Sequence, residues 1–165
     1  MISKKMQTAL NKQIKLEMDS AYIYMAMSNW CTEQNLSGFA SWMMNQYNEE
    51  MAHAKRIYDF LHDVGAAVVL EQIDKPASKW KGPQDVFEVT LAHEQKVTAS
   101  IHKLYELAKT EKDYPSEVML QWFVNEQVEE EATATEILER IKMVGEKSNG
   151  IWWIDKELGK RGAAK

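Results

Sequence analysis

FASWMMNQYNEEMAHAKRIYDFLHDV, residues 39–64, is the stretch that decides the fold. Residues on one face of a helix recur along it in alternating steps of three and four. That stripe comprises Phe39, Met43, Gln46, Glu50, His53, Ile57, Phe60 and Val64. Its ends are apolar, whereas its middle is polar and contains two residue types that bind metals. The pattern therefore predicts a long amphipathic helix with a polar patch halfway along its buried face.

Three other segments repeat this helical period. The stripe of the last long segment comprises Leu120, Phe123, Gln127, Glu130, Ala134, Ile137, Ile141 and Val144. A first helix is predicted from about Lys5 to Glu33, and a third helix follows Pro83. Each of these two carries one acid near the middle of its apolar stripe, Glu17 in the first and Glu94 in the third. The four stripes predict a four-helix bundle.

The connections between these helices are short, with one exception. Ser37 is predicted to cap the start of the second helix, and Gly65 to end it. Residues 66–82 then form a long connection, a length that favours a crossover between two parallel helices. A short amphipathic segment, residues 151–158, is predicted as a fifth helix that packs on its own bundle or on a partner subunit. We therefore expect an all-α bundle, one crossover between helices two and three, and a single domain over residues 1–165.

Composition, charge and cysteine content exclude several classes of protein. The net charge is −5 and no basic stripe occurs, so nucleic-acid binding is not expected. No apolar run approaches ~20 residues, so no membrane span is expected. Cys31 is the single cysteine, which rules out a disulfide within the chain. A reducing, cytoplasmic location is the simplest interpretation.

The polar residues on the four stripes carry the functional prediction. They are Glu17, Glu50, His53, Glu94, Gln127 and Glu130, with Gln46 and Tyr24 on the same faces. Each acid lies near the middle of its helix, so all of them should meet at one level of the bundle. Buried carboxylates are costly unless they are paired or bind a metal, and several together repel one another. A pair of divalent cations would offset this repulsion.

The spacing of these residues supports a two-metal site independently. Glu50 follows Glu17 by 33 positions (50 − 17), and Gln127 follows Glu94 by 33 positions (127 − 94). Two similar helical hairpins would then each contribute one acid from the first helix and an i, i+3 pair from the second. These pairs are Glu50 with His53 and Gln127 with Glu130. This arrangement resembles that of ferritin-like di-iron proteins.

At these residues the sequence resembles prokaryotic non-haem ferritins along nearly its full length. The matching segments are NKQIKLEMDSAYIY (11–24), NEEMAHAKR (48–56), LQWFVNEQVEEE (120–131) and IDKEL (154–158). The resemblance implies a ferritin-like bundle whose Glu17, Glu50 and His53 bind one iron ion. Glu50 would bridge to a second ion, which Glu94 and Glu130 complete with Gln127 nearby.

The resemblance also implies further residues and the reaction. Glu49, Glu126, Glu129 and Glu130 match a third iron site, and Tyr24 matches a tyrosine that borders the iron centre as a donor of an electron or a hydrogen bond. The implied activity is that of a ferroxidase, in which O₂ or peroxide oxidises two Fe²⁺ ions. Ferric iron is then mineralised inside a shell of 24 identical subunits. No haem is expected.

Three alternatives remain open at the level of the sequence. A haem-containing bacterioferritin is the nearest, since Met51 stands where such proteins place a haem ligand; the absence of a second Glu-x-x-His motif argues against it. A soluble di-iron oxidase acting on an organic substrate is the second. A purely structural bundle, whose polar layer sets the register of the helices, is the third.

Other polar residues are predicted to have no role in catalysis. A solvated acidic turn explains Glu111, Asp113 and Glu117 better than a channel for iron does. Surface or interface positions are expected for His62, His93 and His102, which lie off the central stripes.

Overall fold

The computed structural model describes residues 2–145 and 149–160, which form five α-helices and no strand. The helices are α1 (Lys4–Glu33), α2 (Ser37–Asp63), α3 (Pro83–Glu111), α4 (Tyr114–Val144) and α5 (Gly150–Leu158). The predicted architecture of four long helices and a short fifth is confirmed. None of the helices in the described part of the chain is both long enough and apolar enough to cross a lipid bilayer.

The directions of the helices follow from two apolar clusters at opposite ends of the bundle. One cluster includes Met27, Phe39, Phe87 and Ile141. The other includes Leu10, Ile57, Ile101 and Leu120. Thus α2 and α3 both begin at the first cluster and run to the second, whereas α1 and α4 run the opposite way. The connection between α2 and α3 is therefore the predicted crossover between parallel helices.

Glycines follow the ends of two of the long helices, as predicted for Gly65. Gly65 and Gly145 adopt φ angles of 68° and 74°, the left-handed region in which a glycine is least strained. At the end of α2, the Gly65 N–H donates to the His62 carbonyl oxygen (3.0 Å) and the Ala66 N–H to the Leu61 carbonyl oxygen (2.8 Å). These bonds satisfy the last carbonyl groups of the helix and turn the chain into the crossover.

Side chains of α1 hold the crossover against the bundle. The Asn11 side chain donates to the Ala67 carbonyl oxygen (3.0 Å) and accepts from the Val69 N–H (2.7 Å). Further along, Asp19 accepts a hydrogen bond from the Asp74 N–H (2.7 Å). The connection has no secondary structure of its own, so these side chains supply partners for its backbone.

The start of α2 is capped from α5. Ser37 was predicted as the N-cap, and this prediction is wrong: Ser37 lies inside the helix, and the N-cap position is Leu36, which makes no side-chain capping bond. Instead, the Asp155 carboxylate accepts hydrogen bonds from the Gly38 N–H (2.8 Å) and the Phe39 N–H (3.0 Å). A carboxylate at the N-terminus of a helix is also favoured by the helix dipole.

The fifth helix has one buried and one exposed face. Ile151, Ile154 and Leu158 are buried against the bundle, while Trp152 and Trp153 are 51% and 66% exposed. Packing on the parent bundle, one of the two predicted roles of this segment, therefore accounts for only one face.

Candidate metal centre

The four stripe acids lie in a polar layer between the two apolar clusters. Glu17, Glu50, Glu94 and Glu130 come from α1, α2, α3 and α4 respectively, and each is buried. On every helix, the acid separates residues of one apolar cluster from residues of the other. The layer thus lies at mid-height in the bundle, as the sequence predicts.

One group of potential ligands joins α1 and α2. Ligand atoms of Glu17, Glu50 and His53 lie within 4.8 Å of one another. The His53 Nδ1 atom is 3.3 Å from Oε2 of Glu50. The buried Oε2 atom of Glu17 has no hydrogen-bond partner among the described residues. Since an unpaired buried carboxylate oxygen is costly, this atom fits an additional cation as its partner.

A second group joins α2 and α4. Ligand atoms of His53, Glu126 and Glu130 also lie within 4.8 Å of one another. The His53 Nε2 atom is 3.9 Å from Oε1 of Glu126, whose side chain is 28% exposed. The imidazole of His53 therefore lies between the two groups. The spacing of the stripe residues does not predict that Glu126 lies this close to His53.

Hydrogen bonds occupy both carboxylate oxygens of Glu94. The Tyr24 hydroxyl donates to Oε1 of Glu94. The Gln127 amide donates to Oε2 of Glu94 at 3.1 Å, and lies within bonding distance of the Glu94 carbonyl oxygen (3.4 Å) and the Thr98 hydroxyl (3.3 Å). On α4, Oε2 of Glu130 accepts from the Gln46 amide at 2.8 Å. The amides of two glutamines thus orient two of the four acids.

Burial and mutual repulsion make these acids hard to ionise. Burial, followed by the charge of Glu50, raises the pKa of Glu17 well above its usual value. Burial, followed by the charge of Glu94, has the same effect on the pKa of Glu50. The pKa of Glu94 is also raised, chiefly by burial. The pKa of Glu130 rises to about 7, for which burial is the first cause and Glu94 the second.

Aromatic rings pack around the histidine and the tyrosine of the layer. The His53 ring meets the rings of Trp122 and Phe123 edge-on, with centroids 5.5 Å and 5.8 Å apart. The Arg56 guanidinium lies over the ring of Trp122, 4.1 Å from its centroid. Tyr24 is fully buried, and burial raises the pKa of its hydroxyl well above the usual value. These contacts hold the imidazole and the phenol in fixed orientations.

The residues predicted for a third iron site differ in their exposure. Glu130 is buried, Glu49 and Glu126 are half-buried, and Glu129 is exposed. The charge of Glu49 contributes to the raised pKa values of Glu50 and Glu130, so Glu49 lies near the layer. Glu129 belongs to neither of the two ligand groups found among the described residues.

The acids of the turn between α3 and α4 have local partners. Asp113 caps α4 by accepting from the Ser116 N–H (3.2 Å), Glu111 accepts from the Ser3 hydroxyl, and Glu117 accepts from the Tyr105 hydroxyl (3.3 Å). Each of these acids therefore has a hydrogen-bond partner within its own chain.

The off-stripe histidine His93 is more enclosed than a surface residue. Its Nε2 atom is 2.6 Å from the Ser20 hydroxyl oxygen, and burial lowers the pKa of His93 to about 4.

One buried residue that contacts the layer, Gln13, is not among the residues predicted from the sequence. Gln13 is only 1% exposed, and its amide donates to Oε1 of Glu17 at 2.9 Å. Gln13 precedes Glu17 by one helical turn, and side chains four positions apart on a helix are neighbours. That spacing is the signal by which Gln13 could have been found.

Comparisons with known proteins agree with this geometry. Residues 7–144 match the family model described as the ferritin-like domain. Among curated relatives, the bacterial non-heme ferritin of Campylobacter jejuni is 40% identical over 158 residues, covering 96% of this chain and 95% of the relative. The bacterial non-heme ferritin of Bacteroides fragilis is 42% identical over 161 residues, covering 98% of this chain and 100% of the relative.

Solved structures show the same similarity in three dimensions. The open pore ferritin of Archaeoglobus fulgidus superposes with a TM-score of 0.96 at 43% identity, covering 98% of this chain and 99% of that chain. The buried four-acid layer, the crossover and these full-length matches lead to one conclusion: this chain belongs to the ferritin family and is similar to its bacterial non-haem members.

Proposed function

We propose that this chain is a subunit of an iron-storage shell and oxidises Fe²⁺ at the polar layer. One observation carries the proposal: four long helices each bury an acid at the same level, and Oε2 of Glu17 has no partner there among the described residues. Ionising such a layer without cations is costly, and two divalent ions would offset the charge of four carboxylates.

The ligand set suits iron as a substrate. Carboxylate oxygens with a single imidazole favour hard ions, and they favour Fe³⁺ over Fe²⁺ once oxidation has occurred. Glu17, Glu50 and His53 would bind the first ion. Glu94 and Glu130 would bind the second ion, with Glu50 between the two. Each of two Fe²⁺ ions would give up one electron; the two electrons and two protons would reduce O₂ to H₂O₂, or H₂O₂ to two water molecules.

The surrounding residues control the orientation and protonation of the ligands. Tyr24 and Gln127 donate hydrogen bonds to the Glu94 carboxylate, and in the proposed reaction Tyr24 would also be a source of an electron. Because burial raises the pKa values of Glu50 and Glu130, binding of Fe²⁺ displaces protons from the layer. Iron binding should therefore release acid and strengthen as the pH rises.

A third iron site is proposed at Glu49, Glu126, Glu129 and Glu130. The exposure of three of these acids increases from Glu130 through Glu126 to Glu129, which supports a path for iron from the layer to the surface of α4. His53 lies between Glu50 and Glu126 and so connects the paired centre to this path. Ferric iron would leave the paired centre along these acids.

The remaining proposals concern the whole chain, which we infer to act as one domain over residues 1–165 in a cytoplasmic shell of 24 copies. Exposed apolar side chains on α2, the crossover and α5, including Tyr58, Leu70 and Trp153, suit contacts between copies. Cys31 is buried, and a single thiol fits a reducing compartment. We propose no haem, nucleic-acid or membrane partner; a Soret band in the purified protein would contradict the first of these.

The test compares two double variants with the wild-type protein. Fe²⁺ is added without air, air is then admitted, and near-ultraviolet absorbance reports the formation of ferric species. Replacing Glu50 and His53 by Ala should slow this rise by at least about 100-fold, since two ligands are lost. Replacing the exposed residues His102 and Glu106 by Ala removes the same two chemical groups elsewhere and should leave the rate unchanged.

Native mass measurement of the same samples completes the test. All three proteins should assemble into the same large oligomer, because the replaced side chains of the layer contribute ligands and not subunit contacts. Equal oxidation rates in both double variants would contradict the proposed centre. A small oligomer that oxidises iron would instead favour a di-iron oxidase of another kind.

A further inference from the structure

Gln13 connects the acid of α1 to a hydroxyl on α3. Its side chain is buried, its amide nitrogen donates to Oε1 of Glu17 (2.9 Å), and its amide oxygen accepts from the Ser100 hydroxyl (2.6 Å). Ser100 is half-buried on α3, the helix that also carries Glu94. A chain of two hydrogen bonds thus runs from α3 to the carboxylate on α1.

The direction of these bonds determines which end of the amide faces the acid. When the Ser100 hydroxyl donates, it requires the oxygen of the Gln13 amide, which leaves the nitrogen facing Glu17. The carboxylate then accepts on Oε1, and Oε2 is left without a partner among the described residues. One oxygen of Glu17 is therefore anchored while the other stays free for a ligand.

We propose that Gln13, oriented by Ser100, is a positioning residue that presents Glu17 to one of the two metal ions. This inference rests on the proposed function, since it concerns the same centre. Hydrogen bonds from a surrounding layer of residues fix the rotamers of metal ligands and tune their affinity. Gln46 and Gln127 donate to Glu130 and Glu94 in the same way. Gln13 gives Glu17, the acid of α1, an equivalent support.

Filling of the core is the competing explanation for Gln13, and it makes a different prediction. A buried amide that only filled space would be replaced without loss by a methionine, which has a similar length and no polar atoms. A positioning residue cannot be replaced in this way, because Glu17 would lose the amide donor that orients Oε1. The two explanations therefore predict different metal affinities for Gln13→Met.

The test uses the assembled, metal-free protein and Co²⁺ as an inert substitute for Fe²⁺. Co²⁺ is titrated without oxidant, and its visible absorption reports the geometry of each site as it fills. Gln13→Met should weaken binding at one of the two positions by about 10- to 100-fold and change the spectrum of that ion. The second position, on Glu94 and Glu130, should keep its affinity.

Two further variants complete the design. Ser100→Ala should weaken the same position in the same direction but by less, because the amide keeps its nitrogen and loses only its fixed orientation. Gln7→Met is the matched control: Gln7 is half-buried on α1, and its side-chain oxygen accepts from the Ala67 N–H of the crossover (3.3 Å). This variant should bind Co²⁺ as the wild type does.

The outcomes separate the inference from the proposed function. Wild-type binding of two Co²⁺ ions with unaltered affinities and spectra in Gln13→Met would overturn the positioning role alone. If that variant fails to fold, unaltered affinities and spectra in Ser100→Ala would overturn it equally. Absence of Co²⁺ binding by the wild-type protein would overturn the metal centre, and the positioning role with it.

Discussion

Glu130 should make the metal-free protein less stable as the pH rises. Burial, followed by the charges of Glu94 and Glu49, raises its pKa from 4.5 to about 7. Between these two values, the folded chain holds a proton at Glu130 that the unfolded chain has lost. The stabilising contribution of protonated Glu130 to the free energy of unfolding is therefore fully present below pH 4.5 and is lost as the pH rises through about 7.

The size of this effect follows from the shift in the pKa. A change from 4.5 to about 7 corresponds to about 3 kcal/mol at 1.36 kcal/mol per unit. Glu130→Gln removes the charge and keeps the contact, since a glutamine carbonyl can still accept from the Gln46 amide. At pH 8 the metal-free variant should thus be more stable than the wild type by up to about 3 kcal/mol. The difference in stability between the variant and the wild type should shrink as the pH falls toward 4.5, the ordinary pKa of a glutamic acid.

The assay is urea unfolding of chelator-treated protein at pH 5 and pH 8, followed by far-ultraviolet circular dichroism at one protein concentration. Excess Zn²⁺ should reverse the order at pH 8, because the wild-type carboxylate binds the ion and the amide of Glu130→Gln does not replace it. A variant less stable than the wild type at pH 8, or a difference between the two proteins that is the same at both pH values, would refute the reasoning.

Three other predictions test particular contacts. Asp155→Ala should lower the free energy of unfolding by about 1 kcal/mol, because α2 loses its cap. Gly38→Ala should lower it by more, because the new Cβ would lie 1.6 Å from the Asp155 carbonyl oxygen. Thermal unfolding and chymotrypsin cleavage at α5 measure both effects. Asn11→Ala should lower the free energy of unfolding by about 1–2 kcal/mol, because the crossover backbone loses two hydrogen bonds. It should also speed amide hydrogen exchange in the crossover. Glu126→Ala should slow Fe²⁺ oxidation about tenfold or more, whereas Glu129→Ala, at an exposed position, should stay near the wild-type rate in the absorbance assay.

The architecture could be predicted from the sequence because helical periodicity is a local property. The residues of α2 and α4 that face the core recur in steps of three and four, and the same steps locate Glu50 and Glu130 among them. Glycines 65 and 145 were predictable helix ends for a similar local reason, since few other residues tolerate a positive φ. The cap of α2 was not predictable, because Asp155 lies 117 positions from the Gly38 N–H to which it binds.

The candidate site also has features that the sequence predicts and features that only the tertiary structure determines. Periodicity determines which face of a helix a side chain occupies and how far along the bundle it lies, so the sequence by itself placed Glu17, Glu50, Glu94 and Glu130 in one layer. It does not determine distances across the bundle, which depend on helix rotation and on rotamers. Only the tertiary structure decided that His53 lies between the acids of α1 and those of α4, and that the amide of Gln13 anchors one oxygen of Glu17. The physical reason is one of scale: a turn of helix is about 5.4 Å, whereas hydrogen bonds and metal ligation are decided within about 1 Å.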